Sequence, residues 1–299
     1  MRVVGIIGKT LIGAGVILLL FVAYQLVGTT LQEEHTQSQL RSTLQQETNN
    51  QAIRHALAEA NALAKLPTGP PKDAPTTAAP AEGQPVGEIV IPKIHLDQVV
   101  VEGTNTDDLR KGPGHYNGTP LPGQFGNAAV AGHRTTYGHP FYSLDAVKPG
   151  DTVVLTTPQG IFVYSATGSQ VVSPNDTTVL KNQFGSFLTL TTCNPRFSAS
   201  TRLILSAKLI HSQLFPNAPL AKGGVGKLQS NDLAGDNNGA VTDALFWGFI
   251  FLLVGGCVLY AAFRYRRYRW YIYGGGAAGL LVVLWVFFTA VTPLLPASF

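Results

Sequence analysis

Hydrophobic positions divide the chain into three long apolar runs and a central region with a shorter period. Thr10 to Val27 is apolar with no charge and is long enough to cross a bilayer as a helix. Ala244 to Phe263 and Tyr271 to Val291 are two more uncharged runs of that kind. After the first run, residues 29–65 are polar with Ala, Leu and Gln, and apolar positions recur at Ile53, Leu57, Ala60, Leu63 and Ala64. That spacing predicts a helical stalk. Residues 66–86 are rich in Pro, Ala and Thr and predict a semi-extended linker that packs no core.

From Gly87 the period changes to two. Glu88–Ile94, Asp97–Glu102, Asn127–Ala131, Asp151–Thr157, Ile161–Thr167, Leu188–Thr192 and Arg202–Ile210 predict short strands separated by Gly and Pro. Between the second and third, Thr106 to Lys111 reads as one helical turn capped by Thr106 or Asp107. Residues 87–212 therefore predict one all-β domain, a barrel or a sandwich. Residues 213–243 form a loose linker, and 264–270 connect the last two apolar runs.

Charge sets the orientation. The chain has 299 residues, 45% hydrophobic and only 13% charged, with a net charge of +4. Arg264, Arg266, Arg267 and Arg269 of the last connection equal that excess; without them 17 basic residues face 17 acidic ones, which leaves no nucleic-acid footprint. Arginines interleaved with aromatics between two spans read as a positive-inside loop with an aromatic belt. Arg2 and Lys9 precede the first span and Glu33 and Glu34 follow it, so the N-terminus is expected inside. The first run is long for a cleaved signal peptide and lacks a small-x-small site, so an uncleaved anchor is expected. The resulting topology places the β domain outside and residues 264–270 inside.

Two cysteines exclude a disulfide scaffold and a Cys-rich zinc site, and one of them, Cys257, lies in an apolar run. The other, Cys193, ends the strand 188–192, and Arg202 opens the next strand. If those strands pair across the loop between them, thiol and guanidinium share one rim, where the cation favours the thiolate. The alternative is a cysteine used as a small apolar core residue. A thiol nucleophile needs an acid/base, for which histidine is suited. His35 and His55 fall in the stalk and His211 ends a strand, leaving His95, His115, His133 and His139. His133 follows a strand and Gly132 directly, a position that favours it without excluding the other three.

Ala131-Gly-His-Arg-Thr-Thr-Tyr-Gly-His-Pro-Phe141, with Leu188-Thr-Leu-Thr-Thr-Cys-Asn-Pro195 and Arg202-Leu203, resembles the sortase family, and the His-Arg-Thr-Thr-Tyr-Gly form resembles class E. Gly112-Pro-Gly-His-Tyr116 and Ile91-Pro-Lys-Ile94 fit the upstream pattern of the same family. The resemblance runs from about Glu88 to Ile210. It implies a closed eight-stranded β-barrel, with the three transmembrane helices and the stalk outside it. It further implies a transpeptidase that cuts a C-terminal Leu-Pro/Ala-x-Thr-Gly sorting signal between Thr and Gly.

Carried over by position, Cys193 is the nucleophile, His133 the acid/base and Arg202 the group steadying substrate and oxyanion, with Thr192 and Tyr137 lining the substrate groove. Arg134 and Arg196 are the next candidates for the role of Arg202. The partners implied are surface proteins bearing the signal and an amine acceptor such as a cell-wall precursor or a pilin lysine; no metal, cofactor or nucleic acid is implied. The C-terminal pair of spans departs from the common layout of the family. Leu66-Pro-Thr-Gly69 lacks the residue between Pro and Thr and a following hydrophobic tail, so it reads as linker. Two other functions compete. An extracytoplasmic cysteine protease or an L,D-transpeptidase would use similar groups, though the Ser-x-Gly-Cys setting of the latter is absent, and a non-enzymatic tethered β domain would not need the Cys, His and Arg set.

Overall fold

The computed structural model describes residues 2–47, 70–215 and 240–294, in which the chain divides into two units. The predicted stalk beyond residue 47, the start of the first linker (66–69) and most of the second (216–239) lie outside the described residues.

The first unit comprises residues 1–28 and 237–298 and contains three helices, α1 (Arg2–Ala23), α4 (Ala240–Arg264) and α5 (Arg269–Val291). Three helices, Leu11–Gln46, Val241–Arg264 and Arg266–Val291, are long and apolar enough to cross a membrane. Aromatic packing joins the first to the last within this unit. The Tyr24 ring meets Trp285 edge-on at 4.8 Å and Phe21 meets Phe288 at 4.9 Å, and Gln25 Nε2 donates to Thr292 Oγ1 at 2.8 Å. In lipid apolar chains gain nothing from hydrophobic burial, so edge-on rings and a polar bridge are the kinds of contact that favour association of such helices.

The second unit is a closed barrel. Its strands are β1 (Pro85–Ile91), β2 (Leu96–Glu102), β3 (Gly114–His115), β4 (Gly126–Ala131), β5 (Thr152–Thr157), β6 (Gly160–Val172), β7 (Ser186–Asn194) and β8 (Thr201–Leu214). The order around the barrel is β1-β2-β3-β4-β7-β8-β6-β5, and β5 closes on β1. All seven predicted strands are present. The eighth, β3, has only two residues, too few for an alternation to be visible. The helical turn forms as α3 (Thr106–Leu109), but its cap is Asn105, whose Oδ1 accepts from Asp108 N at 2.9 Å; neither Thr106 nor Asp107 has that place.

Alternation explains the composition of the two central strands. Ala128 and Val130 of β4 and Leu188 and Leu190 of β7 face the barrel interior, with Ile89, Leu155, Phe162, Tyr164 and Leu205. Fully burying each such Leu or Phe is worth about 1.5–3 kcal/mol. The other face of β4 is also covered, since Ala129 and Ala131 pack with Leu109, Tyr116 and Leu180. On that outer face β7 presents threonines. Thr189 Oγ1 donates to Asn127 Oδ1 at 2.8 Å, and Thr191 Oγ1 lies 2.8 Å from the Tyr116 hydroxyl. Cys193 is next in the same parity.

Helix α2 (Thr29–Glu47) and the Pro-rich segment both lie against the barrel. Leu40 and Leu44 pack with Val99 and Val101 of β2. Arg41 Nη1 reaches Glu88 Oε1 at 2.8 Å. The stretch after residue 70, expected as spacer, buries Ala74 in the main core and bridges to Gln124. Proline lacks an N–H, so only its carbonyl needs a partner, and Gln159 Nε2 donates to Pro75 O at 2.7 Å.

Candidate active site

The site is built at one end of β4, β7 and β8. In the antiparallel β7–β8 ladder Cys193 pairs directly with Arg202, so the rim shared by thiol and guanidinium forms. In the parallel β4–β7 ladder Ala131 pairs with Thr191, which brings His133, two residues past β4, and Cys193, near the end of β7, to the same level. The junction is stitched twice: Gly132 N donates to Thr191 O at 3.0 Å and Thr192 Oγ1 donates to Gly132 O at 2.7 Å. Thr192 is therefore buried, and its hydroxyl fixes the two strand ends to each other.

The loop after β4 shapes the base. Gly132 admits the Phe141 ring, since a Cβ there would meet ring carbon at 2.6 Å, and Phe141 N donates to His133 O at 3.1 Å. Tyr137, Gly138 and His139 then adopt three consecutive left-handed conformations, φ 47°, 67° and 41°. Such backbone at two non-glycine residues costs on the order of 1–3 kcal/mol each and persists only where surroundings hold it. Here they do. Tyr137 N donates to Thr29 Oγ1 at 3.2 Å, the Tyr137 ring lies 5.3 Å from that of His133, and Arg110 stands 5.9 Å over it. Gly138 closes on α2, where a Cβ would meet Glu33 Oε2 at 2.4 Å.

All three expected catalytic residues are enclosed: His133 is 1% exposed, Cys193 3% and Arg202 5%. Neither ring nitrogen of His133 is hydrogen-bonded. Burial, reinforced by the Arg110 charge, lowers its pKa to about 4. Burial raises the Cys193 thiol, and the Arg202 and Arg134 charges oppose that rise. Neutral thiol and neutral imidazole are consequently the resting pair at pH 7, and the thiolate–imidazolium pair is a minority. Arg202 is anchored through Nη1, which donates to Ala199 O at 3.0 Å and Thr201 O at 3.3 Å. Among the described residues no group of three or more His, Cys, Asp and Glu forms a metal cluster.

The other three candidate histidines part from the thiol. His115 is buried in a pair with Glu102 at 2.7 Å and reaches Pro120 O at 3.0 Å. His95 caps the turn after β1 and His139 meets the Tyr142 ring edge-on. Sequence reasoning held Arg134 only as a substitute for Arg202, and its ties to the nucleophile's strand were not foreseen. Arg134 Nη1 donates to Cys193 O at 3.2 Å and to Asn194 Oδ1 at 2.7 Å. Its adjacency to His133 in the motif was the available signal.

Comparison with known proteins points to one family. A family model described as a sortase domain matches residues 89–210. Sortase SrtE1 of Streptomyces coelicolor is 31% identical over 233 residues, covering 73% of this chain and 58% of that one. Sortase D of Bacillus subtilis is 37% identical over 117 residues, covering 39% and 58%. The chain thus spans 58% of the length of either curated relative. The structure of sortase E from Streptomyces avermitilis is 40% identical, covering 46% of this chain and 99% of that one, with a TM-score of 0.42.

Proposed function

This chain belongs to the sortase family, on its class E-like side, and from that premise we propose that it is a membrane-anchored cysteine transpeptidase acting on sorting signals. The observation that carries the reading is the pairing of Cys193 with Arg202 in one ladder while the adjacent ladder delivers His133 to the same end.

The chemistry follows from those groups. Cys193 passes its proton to His133 and its Sγ attacks the Thr carbonyl carbon of a Leu-Pro/Ala-x-Thr-Gly signal. Arg202, a planar fork of fixed donors, stabilises the oxygen as it becomes negative. The C–N bond to Gly breaks, with the His133 proton going to the leaving amine. The thioester keeps the acyl group activated, so an amine of a cell-wall precursor or a pilin lysine can attack it, return a proton to His133 and release the thiolate. Thr192 and Tyr137, against the strand junction and His133, line the groove that receives the signal. Surface proteins bearing the signal are the substrates, and the three spans hold the barrel on the outer face of the membrane.

The test uses full-length protein with Leu-Pro-x-Thr-Gly and Leu-Ala-x-Thr-Gly peptides and an amine acceptor. Transfer of the acyl group to the amine in wild type, and none with Cys193→Ala, is the expected result. Hydrolysis with no amine incorporation at any acceptor concentration would return the protein to the cysteine-protease reading.

A further inference from the structure

We propose that Arg134 is the positioning residue of this site: one guanidinium ties the end of the nucleophile's strand to the loop that carries His133. The proposal rests on the reading of Cys193 and His133 as nucleophile and acid/base. Arg134 follows His133 in sequence, is 3% exposed, and points its fork two ways. Toward β7, Nη1 donates to the Cys193 carbonyl and the Asn194 side chain. Toward its own loop, Nη2 meets Asp145 Oδ1 at 3.2 Å and Nε donates to Tyr142 O at 3.4 Å.

The loop after Cys193 returns the same grip from outside. Arg196 Nη2 reaches Asp145 Oδ1 at 2.9 Å and Oδ2 at 3.1 Å, and its Nε donates to Tyr142 O at 3.1 Å. Its guanidinium also stacks 4.5 Å over the Tyr142 ring. Asp145 and the Tyr142 carbonyl therefore serve two arginines, one from each of the segments that carry the reacting groups. Arg134 alone of the two is buried and bonded to the backbone of the nucleophile. Its job requires donors in several fixed directions at once, which a planar fork supplies and a single ammonium does not. Its charge, with that of Arg202, also offsets part of the burial that disfavours the Cys193 thiolate.

The two contributions separate by substitution. Arg134→Lys keeps charge and loses the fork; Arg134→Met loses both at similar length. Each is made in full-length protein carrying Cys257→Ser, so that Cys193 is the sole thiol. Three quantities are measured: kcat and KM for peptide transfer, the pH profile of Cys193 alkylation by iodoacetamide, and the thermal midpoint. Both variants should lose on the order of 10²-fold in kcat, the cost typical of an ångström-scale misplacement, with KM within about threefold. The alkylation midpoint should rise by about one pH unit in Arg134→Met and stay at the wild-type value in Arg134→Lys.

A purely structural arginine would lower the thermal midpoint of both variants without moving the alkylation profile of the folded Met variant, and that result overturns the proposal. If Arg134→Met does not fold, Arg134→Lys decides alone: a folded Lys variant within threefold of wild-type kcat overturns it. Transfer persisting in Cys193→Ala is a different failure, since it removes the nucleophile reading and the proposal with it, and it is read before either arginine variant.

Discussion

Burial acts on Cys193 and His133 in opposite directions with one result, two neutral groups near pH 7. For His133 this has a consequence in stability. Its folded pKa of about 4 lies below the ordinary value of 6.5, so between those pH values the unfolded chain binds a proton that the folded chain refuses. Above pH 6.5 both states are neutral and the group contributes nothing to the pH dependence. As pH falls through the window to about 4, stability is lost, by about 3 kcal/mol in all. Calorimetric midpoints from pH 7 to 4 should therefore drop more steeply for wild type than for His133→Gln; equal slopes would mean that His133 is not held neutral by the fold. Arg202 poses a different question, because an arginine tied to Ala199 O and Thr201 O could be a loop brace. If it holds a developing oxyanion, Arg202→Lys loses on the order of 10² to 10³ in kcat. As a brace it would lose about 1 kcal/mol of stability and keep its rate. A kcat within threefold of wild type removes it from the mechanism.

Besides its apolar and ionic contacts, helix α2 reaches the barrel through one amide. Among the described residues β2 pairs with β3 only at Val101 and Glu102, and the Val99 N–H and C=O face the other way from β1, toward Gln37. Gln37 fills that place as a strand would: its Oε1 accepts from Val99 N at 2.7 Å, and its Nε2 donates to Val99 O at 2.9 Å and Lys111 O at 2.8 Å. An unpaired strand edge invites the wrong partner, and this side chain covers it. Gln37→Ala leaves buried backbone groups unsatisfied and should cost on the order of 2 to 3 kcal/mol. Denaturant unfolding together with faster Val99 amide exchange would show it, and a change under about 0.5 kcal/mol would mean that the helix docks through Leu40 and Leu44 alone. This docking was not legible in the sequence. Gln37 looks like any other glutamine of a polar helix, because the edge it satisfies is created by strand order. The barrel strands were legible, since alternation is local and the Thr-Leu-Thr-Thr-Cys run records which face is inside. The Cys193–Arg202 pairing was legible for the same reason, two strands and a short loop. Arg134 was legible only as a substitute for Arg202, because its partners at Cys193 and Asp145 are brought together only by the folded chain.

Across the whole chain the distribution of charge and apolar length carries the argument for topology. Three helices are apolar and long enough to span a membrane, and the apolar part of the first gives way to the polar α2. Arg264, Arg266, Arg267 and Arg269 lie between the last two, with Tyr265, Tyr268 and Trp270 exposed among them. Arginines near span ends favour the cytoplasmic side, and aromatic rings favour the headgroup level, so the proposed topology predicts this turn, and the N-terminus with Arg2 and Lys9, on the inner side. On that topology one crossing would put the barrel outside, and two more would return the chain to the outer face. The same topology would put the Cys193 thiol on the oxidising side, and Cys193 is in no disulfide. Protease treatment of intact protoplasts should remove the barrel and leave a fragment bearing residues 264–269 protected, with cleavage in that loop appearing only after lysis. A protected barrel and a cleaved arginine loop would invert the topology and place Cys193 away from any substrate at the cell surface.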